Sequence, residues 1–402
     1  MRRPFARLGQ IIVHALHDRS ATISIKALSK ERADVLNEHD SAAPISVPLS
    51  SVNLTDRERR YVRDAIDSDW ISSGGEYVQR FETAMAKRIQ RSFVAATSSG
   101  TSALAITLRA LGIGPGDEVI LPALTFAAPA NAVASVGATC VFADVTQESW
   151  TIDPREVARL RTPRTRLLIA VDVLGHPCDF DALAELEIPI LEDAAEAHGA
   201  LYRGRPVGSF GIASIFSFHA NKAITTGEGG CIATDDSELF ERISVMNHHG
   251  MRAERPYHHD IVGHRYPMNN LTAAIGLAQV ERWDELVDGR NSVSGQYDQG
   301  LADASLTRRP VAAWAREATW LHTITSERRK AVLESCHQDG IDARGIWPVL
   351  PDQPAFPNQN GDQCPRARHI SARALWLPTW SGMPAETIAH VINAVRRGLD
   401  ES

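Results

Sequence analysis

A lysine stands where an apolar run gives out. In Ser217-Phe218-His219-Ala220-Asn221-Lys222 the buried-looking stretch ends, and Thr225-Thr226-Gly227-Glu228-Gly229-Gly230 follows. The glycines of that turn let backbone come close to a ligand, and an amine at a sheet end can form a Schiff base with an aldehyde. A lone loop lysine more often points into water, so Lys222 gains meaning only from its neighbours. Ser98-Ser99-Gly100-Thr101-Ser102 opens a helix-like run carrying Leu104, Ile106, Leu108 and Leu111. Free amides and small hydroxyls at a helix start bind phosphate, although serine and threonine there also act as ordinary caps. The run Ile188–Leu191 carries Asp193 to a strand end within Glu192-Asp193-Ala194-Ala195-Glu196. A carboxylate so placed can pair with a protonated pyridine nitrogen, or it can simply cap a helix. Phe126, just after the strand ending at Leu121, can stack on a ring or pack in the core. Each segment is ordinary alone. Together they put a phosphate cradle, a stacking aromatic, a ring-nitrogen carboxylate and a lysine at successive strand ends.

The elements that must hold these residues alternate. Strand-like runs fall at Val119–Leu121, Cys140–Phe142, Leu167–Val173, Ile188–Leu191, Ile215–Phe218 and Cys231–Ala233. Helix-like stretches lie between several of them, at Pro129–Val136, Pro154–Leu160 and Asp181–Leu186. Strands separated by crossover helices predict an α/β fold with a mainly parallel sheet covered on both faces. Ligands then belong at the carboxyl ends of the strands. Upstream, Thr55-Asp56-Arg57-Glu58 has capping-box spacing, and Tyr77, Val78, Phe81, Met85 and Ile89 form one helical apolar face. A helix is expected over Asn270 to Glu285, a strand over Thr319–Thr325 and a last helix over Ala385–Leu399. The organisation predicted is an extension of unknown role at 1–45, a large domain at 46–288 and a smaller α/β domain at 289–402.

With 402 residues, 44% of them hydrophobic and 23% charged, the chain reads as a soluble globular protein of two domains. A formal net charge of −7 argues against a nucleic-acid partner recruited by bulk electrostatics. Five cysteines, odd in number and never spaced as C-x-x-C, argue against a disulfide framework or thiolate zinc site and for a reducing cytoplasm. No apolar run reaches the ~18 residues of a membrane span, and Ile11 to Leu16 is too short for a signal sequence core.

The same chemical residues carry a family resemblance. From about Val47 to Leu399 the chain resembles the sugar aminotransferases of the DegT/DnrJ/EryC1/StrS type, fold-type I enzymes that use pyridoxal 5′-phosphate. The carrying stretches are Trp70 to Gly75, Ser99 to Leu104, Gly112 to Phe126, Glu192 to Gly199, Ser217 to Gly230, Ala273 to Gln279 and Gly340 to Arg344. The resemblance implies that Lys222 is the Schiff-base lysine and proton shuttle, that Asp193 contacts the pyridine nitrogen, and that Phe126 stacks on the ring. It implies that Gly100, Thr101, the Ser102 amide and Ser217 hold the phosphate. Glu196 falls near the ring hydroxyl, where many members carry glutamine; glutamate there is similar to the perosamine-synthase branch. The implied reaction moves an amino group from glutamate or glutamine to a keto group of a nucleotide-linked keto-deoxy sugar, in a homodimer with shared active sites. Departures occur at Gly263-His264-Arg265-Tyr266-Pro267-Met268, where the family reads G-Y-N-Y-R-M and where Arg265 would replace the asparagine that reaches the partner's phosphate. The R-P-F-F pattern has become Arg344-Gly345-Ile346-Trp347, followed by Leu350-Pro351-Asp352-Gln353-Pro354 in place of a histidine-containing stretch.

Other readings fit less well. A dehydratase on the same scaffold replaces the lysine with histidine, whereas Lys222 is intact and His219 lies three residues earlier. Gly112-Ile113-Gly114-Pro115-Gly116 precedes a strand, while a dinucleotide fingerprint must follow one and open a helix. His248, His249, His258 and His259 form adjacent pairs, not the i, i+4 pair of a helical zinc site. Within the family, an aminocyclitol aminotransferase and a non-catalytic cofactor-binding sensor stay open as alternatives.

Overall fold

Short apolar runs bounded by turn residues form the central sheet, and their alternation decides which face each side chain enters. In the computed structural model, which describes residues 46–252, 254–356 and 364–400, the strands are Phe93–Thr97 (β1), Glu118–Pro122 (β2), Thr139–Ala143 (β3), Thr165–Val171 (β4), Ile190–Asp193 (β5), Ala213–Ser217 (β6) and Gly230–Thr234 (β7). The extension expected over 1–45 lies outside the described residues. Sheet order is β1-β7-β6-β5-β4-β2-β3. Every neighbouring pair from β6 to β3 is parallel, and only β7 runs the other way, antiparallel to both β1 and β6.

Both faces are covered, as a parallel sheet requires. Val119 and Leu121 of β2 enter one apolar cluster and Ile120 the opposite one; in β4, Leu167 and Ile169 part from Leu168 and Ala170 in the same way. The mainly parallel α/β architecture predicted from the alternating runs is therefore present. The strand β1 was not among the runs expected: Phe93-Val94-Ala95-Ala96-Thr97 has two alanines and little periodic contrast. It is a strand because tertiary pairing with β7 supplies what its own sequence signals weakly.

Upstream, Thr55 and Glu58 make the expected reciprocal cap, with the Thr55 N–H donating to the Glu58 carboxylate at 2.7 Å. Helix Glu76–Ile89 buries Tyr77, Phe81, Met85 and Ile89. The single helix expected over Asn270 to Glu285 is instead two, Asn270–Glu281 and Trp283–Gly300, broken at Arg282. The break has a cause: the Arg282 guanidinium donates to the Glu58 carboxylate at 2.8 Å and to the Asn53 side chain at 2.7 Å, anchoring that turn to the first turn of helix Asp56–Asp67 and to the chain just before it. The boundary expected between 288 and 289 falls inside Trp283–Gly300.

A second, antiparallel sheet comprises Thr307–Arg308, His322–Thr325, Ala374–Leu377 and Arg344–Gly345. Leu375 and Leu377 pack under helices Arg329–Gln338 and Ala385–Asp400, whereas Trp376 turns to the opposite face and joins the core of the central sheet.

Two close approaches fix the sheet end. A Cβ on Gly230 would lie 2.4 Å from the Ser99 carbonyl carbon and 2.5 Å from the Gly100 nitrogen, and one on Gly100 would lie 2.9 Å from Ser217 Cβ. The first of these meets backbone, which cannot swing aside. Gly230→Ala is therefore expected to destabilise the protein by about 2–3 kcal/mol, the upper part of the usual overpacking range. Equilibrium denaturant unfolding checks this; an unchanged midpoint would show that β7 and the helix start are not so tightly seated.

Candidate active site

At the carboxyl ends of β1, β2, β5 and β6 lies a cavity of about 490 Å³, lined among others by Gly100, Thr101, Phe126, Asp193, Glu196, Ser217 and Lys222. The topology explains the convergence. Parallel strands place their carboxyl ends on one edge, so segments far apart in sequence open into one space.

Past Ser217 the chain folds back on itself. The Phe218 N–H donates to Gly229 O at 2.8 Å, Thr226 N–H to Phe218 O at 2.9 Å, and Lys222 N–H to His219 O at 2.9 Å. Gly227, at φ +82°, takes the left-handed conformation this return needs. Lys222 is thereby turned inward. Its Nζ lies 3.4 Å from Glu196 Oε1 and 4.0 Å from the centre of the Trp320 ring. Burial lowers the Lys222 pKa below the ordinary lysine value, against the opposing pull of Glu196 and Asp193. The amine thus loses its proton more readily than a surface lysine does.

Asp193 is the last residue of β5, and its carboxylate accepts the Ala195 N–H at 3.1 Å. Burial pushes its pKa up to about 7, and the nearby Glu196 pushes the same way. Glu196 is buried, and its second oxygen accepts the Leu174 N–H at 2.9 Å. Phe126 is 56% exposed, so the core-packing alternative does not hold for it.

Helix Gly100–Ala110 starts at the cavity with Ser99 as its cap. First-turn amides have no carbonyl partner within the helix, and those of Gly100 and Thr101 belong to cavity-lining residues. Ser102 differs from expectation. Its amide donates to Ser99 Oγ at 3.1 Å and its hydroxyl accepts the Ser99 N–H at 3.1 Å, a reciprocal cap that uses the amide expected to hold phosphate. Arg265 lies outside the cavity walls within this chain; its guanidinium donates to Ser73 Oγ at 2.8 Å on the exposed surface. Among the described residues, no cluster of His, Cys, Asp and Glu is arranged to hold a metal ion.

An aromatic wall was not foreseen. Trp320 and Trp347 lie nearly parallel with ring centres 5.9 Å apart, Trp376 meets Trp347 edge-on at 4.9 Å, and Phe126 stands 6.4 Å from Trp347. These tryptophans sit on different segments of the C-terminal third, with no common spacing that could have grouped them. Arg344, also on the lining, is bonded to the Asp342 carboxylate at 2.7 and 2.8 Å.

Residues 52–396 match the model of the DegT/DnrJ/EryC1/StrS aminotransferase family. The chain belongs to that family. It is 38% identical over 364 residues to the GDP-perosamine synthase of Caulobacter vibrioides, covering 88% of this chain and 98% of that protein. It is 30% identical to EpsN of Bacillus subtilis, a putative pyridoxal phosphate-dependent aminotransferase, over 86% of this chain and 94% of the relative. Among solved structures, Streptomyces venezuelae DesV in complex with a ketimine intermediate superposes with a TM-score of 0.84 at 32% identity, covering 90% of this chain and all of that one. The sugar aminotransferase expected from the lysine segment, and its fold, are thus borne out.

The raised pKa of Asp193 has a consequence for this aminotransferase. The folded state disfavours the charged carboxylate, so the group costs stability above pH 7, and the cost fades as pH falls from about 7 toward the ordinary aspartate value near 4. Asp193→Asn keeps an acceptor for the Ala195 N–H and removes the charge. It is expected to stabilise the ligand-free protein by about 1–3 kcal/mol at pH 8 and by almost nothing at pH 4. Thermal melts of both proteins at the two pH values test this; equal gains at both would mean that burial of charge is not the cause.

Proposed function

We propose that this chain is a pyridoxal-phosphate-dependent aminotransferase that moves an amino group from glutamate or glutamine to a keto group of a nucleotide-linked keto-deoxy sugar, in amino-sugar biosynthesis. The observation that carries the reading is the buried Lys222 amine, held between Glu196 and the Trp320 face in the same cavity as Asp193, Phe126 and a helix start. The names of the relatives support the substrate class, and that of EpsN supports the cofactor.

The residues present fit pyridoxal phosphate in their chemistry. Gly100 leaves open, beside Ser217, the space a Cβ would fill, next to first-turn amides suited to a phosphate. Asp193 is a buried carboxylate that makes no ion pair among the described residues, though Lys222 acts on it at longer range, and it would gain a partner in a pyridinium nitrogen. When bound, the cofactor supplies an aldehyde for the lysine and a ring that withdraws electrons from the carbon losing its proton.

The remaining work falls to side chains of this chain. Thr101, Ser217 and the Gly100 turn would hold the phosphate, and Phe126 would stack on the ring. Asp193 keeps the ring nitrogen protonated by opposing its charge. Lys222 Nζ would accept a proton from the alpha carbon of the donor and hold it for return. Glu196 Oε1 steadies the ammonium in between. The aromatic wall of Trp320, Trp347 and Trp376 excludes water and offers flat apolar faces to the sugar ring. That wall comes from the 289–402 part, which we propose as a smaller domain closing against the 46–288 part.

The reading includes a homodimer. Trp70 and Ile71 are large apolar side chains left exposed, and a second copy would cover them. Arg265, pointing away from its own cavity, would then face the partner's site. Five free cysteines support action in a reducing cytoplasm. No described helix is long and apolar enough to cross a membrane.

The test is the visible absorption spectrum of the protein with pyridoxal phosphate, before and after glutamate. A yellow band that borohydride abolishes and Lys222→Ala lacks is the expected result, with loss of the band when glutamate is added. A wild-type protein that develops no band in excess cofactor would refute the reading. A band that no amino donor changes would favour a cofactor-binding sensor.

A further inference from the structure

We infer that Arg290 is a positioning residue that fixes the main chain at Lys222 and keeps a positive charge behind its amine. The inference rests on the reading of Lys222 as the reactive amine. Arg290 lies in helix Trp283–Gly300 and is 2% exposed. Its Nη1 donates to Trp320 O at 2.5 Å, and its Nη2 lies 3.1 Å from each of Ser50 Oγ, Asn221 O and Lys222 O. One guanidinium therefore joins three segments remote in sequence.

The kind of partner matters as much as the number. All four acceptors are neutral, and no ion pair involves Arg290 among the described residues. A cation buried without a counter-ion is costly, and burial alone draws the Arg290 pKa down to about 9. Such a group persists only where several hydrogen bonds hold it. Trp320 reinforces the same point in space: its indole N–H donates to Asn221 O at 3.0 Å while its ring face covers Lys222 Nζ. Displacing the guanidinium would release the Lys222 main chain and the tryptophan wall together.

The charge acts alongside the geometry. Lys222 faces Glu196 at 3.4 Å and Asp193 at the end of β5, both of which favour its protonated form. Arg290 opposes them and works in the direction of burial. His198, behind the lysine, is kept neutral by burial, its pKa pushed down to about 3. His219, Glu228 and Arg344 also line the cavity. Among these, removing the Arg290 charge should raise the lysine pKa. Lysine at 290 would keep the charge but lose the fork that reaches several carbonyls at once.

The experiment is competitive labelling of the full-length chain with trace acetic anhydride across pH, after hydroxylamine has removed bound aldehyde. Peptide mass spectrometry reads Lys222, with the exposed Lys330 as internal reference. Wild-type Lys222 should titrate below Lys330. Arg290→Met should move the Lys222 midpoint upward relative to wild type. Arg290→Lys should leave the midpoint low yet slow the glutamate-driven spectral change of the cofactor-loaded protein about tenfold, as expected for a misplaced base. A folded Arg290→Met with an unchanged midpoint overturns the proposal. If that variant does not fold, a wild-type rate in Arg290→Lys overturns it. The labelling needs no turnover, so a protein that failed the spectral test could still show the Arg290 effect, and the two ideas fail separately.

Discussion

Burying an amine is expensive, and the architecture around Lys222 follows from having to hold one in a fixed place. Two carboxylates alone would hold the lysine as an inert ammonium. Burial alone would strip its charge and leave it without a fixed position. The site combines both: Glu196 within 3.4 Å, Asp193 at the neighbouring strand end, an indole face over Nζ and a buried cation under the main chain. The net lowering of the lysine pKa is the outcome of that opposition. Mutual dependence follows as well, because burial and Glu196 raise the Asp193 pKa while Lys222 lowers it.

The sheet makes this arrangement possible by contact between backbones. Gly100 must lie close to Ser217, and Gly230 must lie close to Ser99 and Gly100, for the helix start and the lysine loop to share one cavity. A side chain at either glycine would separate the helix start from the lysine turn. The T-G-E-G-G segment thus has two jobs: Gly227 turns the chain back with positive φ, and Gly230 lets β7 pass under the helix start.

Much of this was legible in the sequence because strand ends are marked by local signals. The apolar run before Asp193, the serine and threonine cluster before Leu104, and the glycines after Lys222 each announce a boundary. Parallel pairing then brings such boundaries together. The strand β1 was not legible, since its alanines carry little β signal and its pairing partner lies far downstream. Nor was the break at Arg282, which depends on contacts with Asn53 and Glu58 more than 200 positions away. Ser102 lies in a motif that the sequence leaves open as cradle or cap, and its amide is bonded to Ser99 Oγ as in a cap. The tryptophan wall and Arg290 could not be read at all. Their meaning lies in which carbonyls and rings they meet, and no spacing encodes that.

The placement of β1 at the sheet edge, paired only with β7, bears on the order in which the molecule can assemble. Strands β3 to β6 can dock in the order in which a ribosome releases them, since each finds a partner among strands already made. The strand β1 is made before all of them and has no neighbour until Gly230–Thr234 emerges. Phe93–Thr97 therefore spends the synthesis of more than a hundred residues as an unpaired apolar edge, the kind of segment a chaperone or another nascent chain will capture. The helix start at Gly100 is seated last for the same reason. The helix start is thus translated before the strand that seats it and takes its place only after that strand is made.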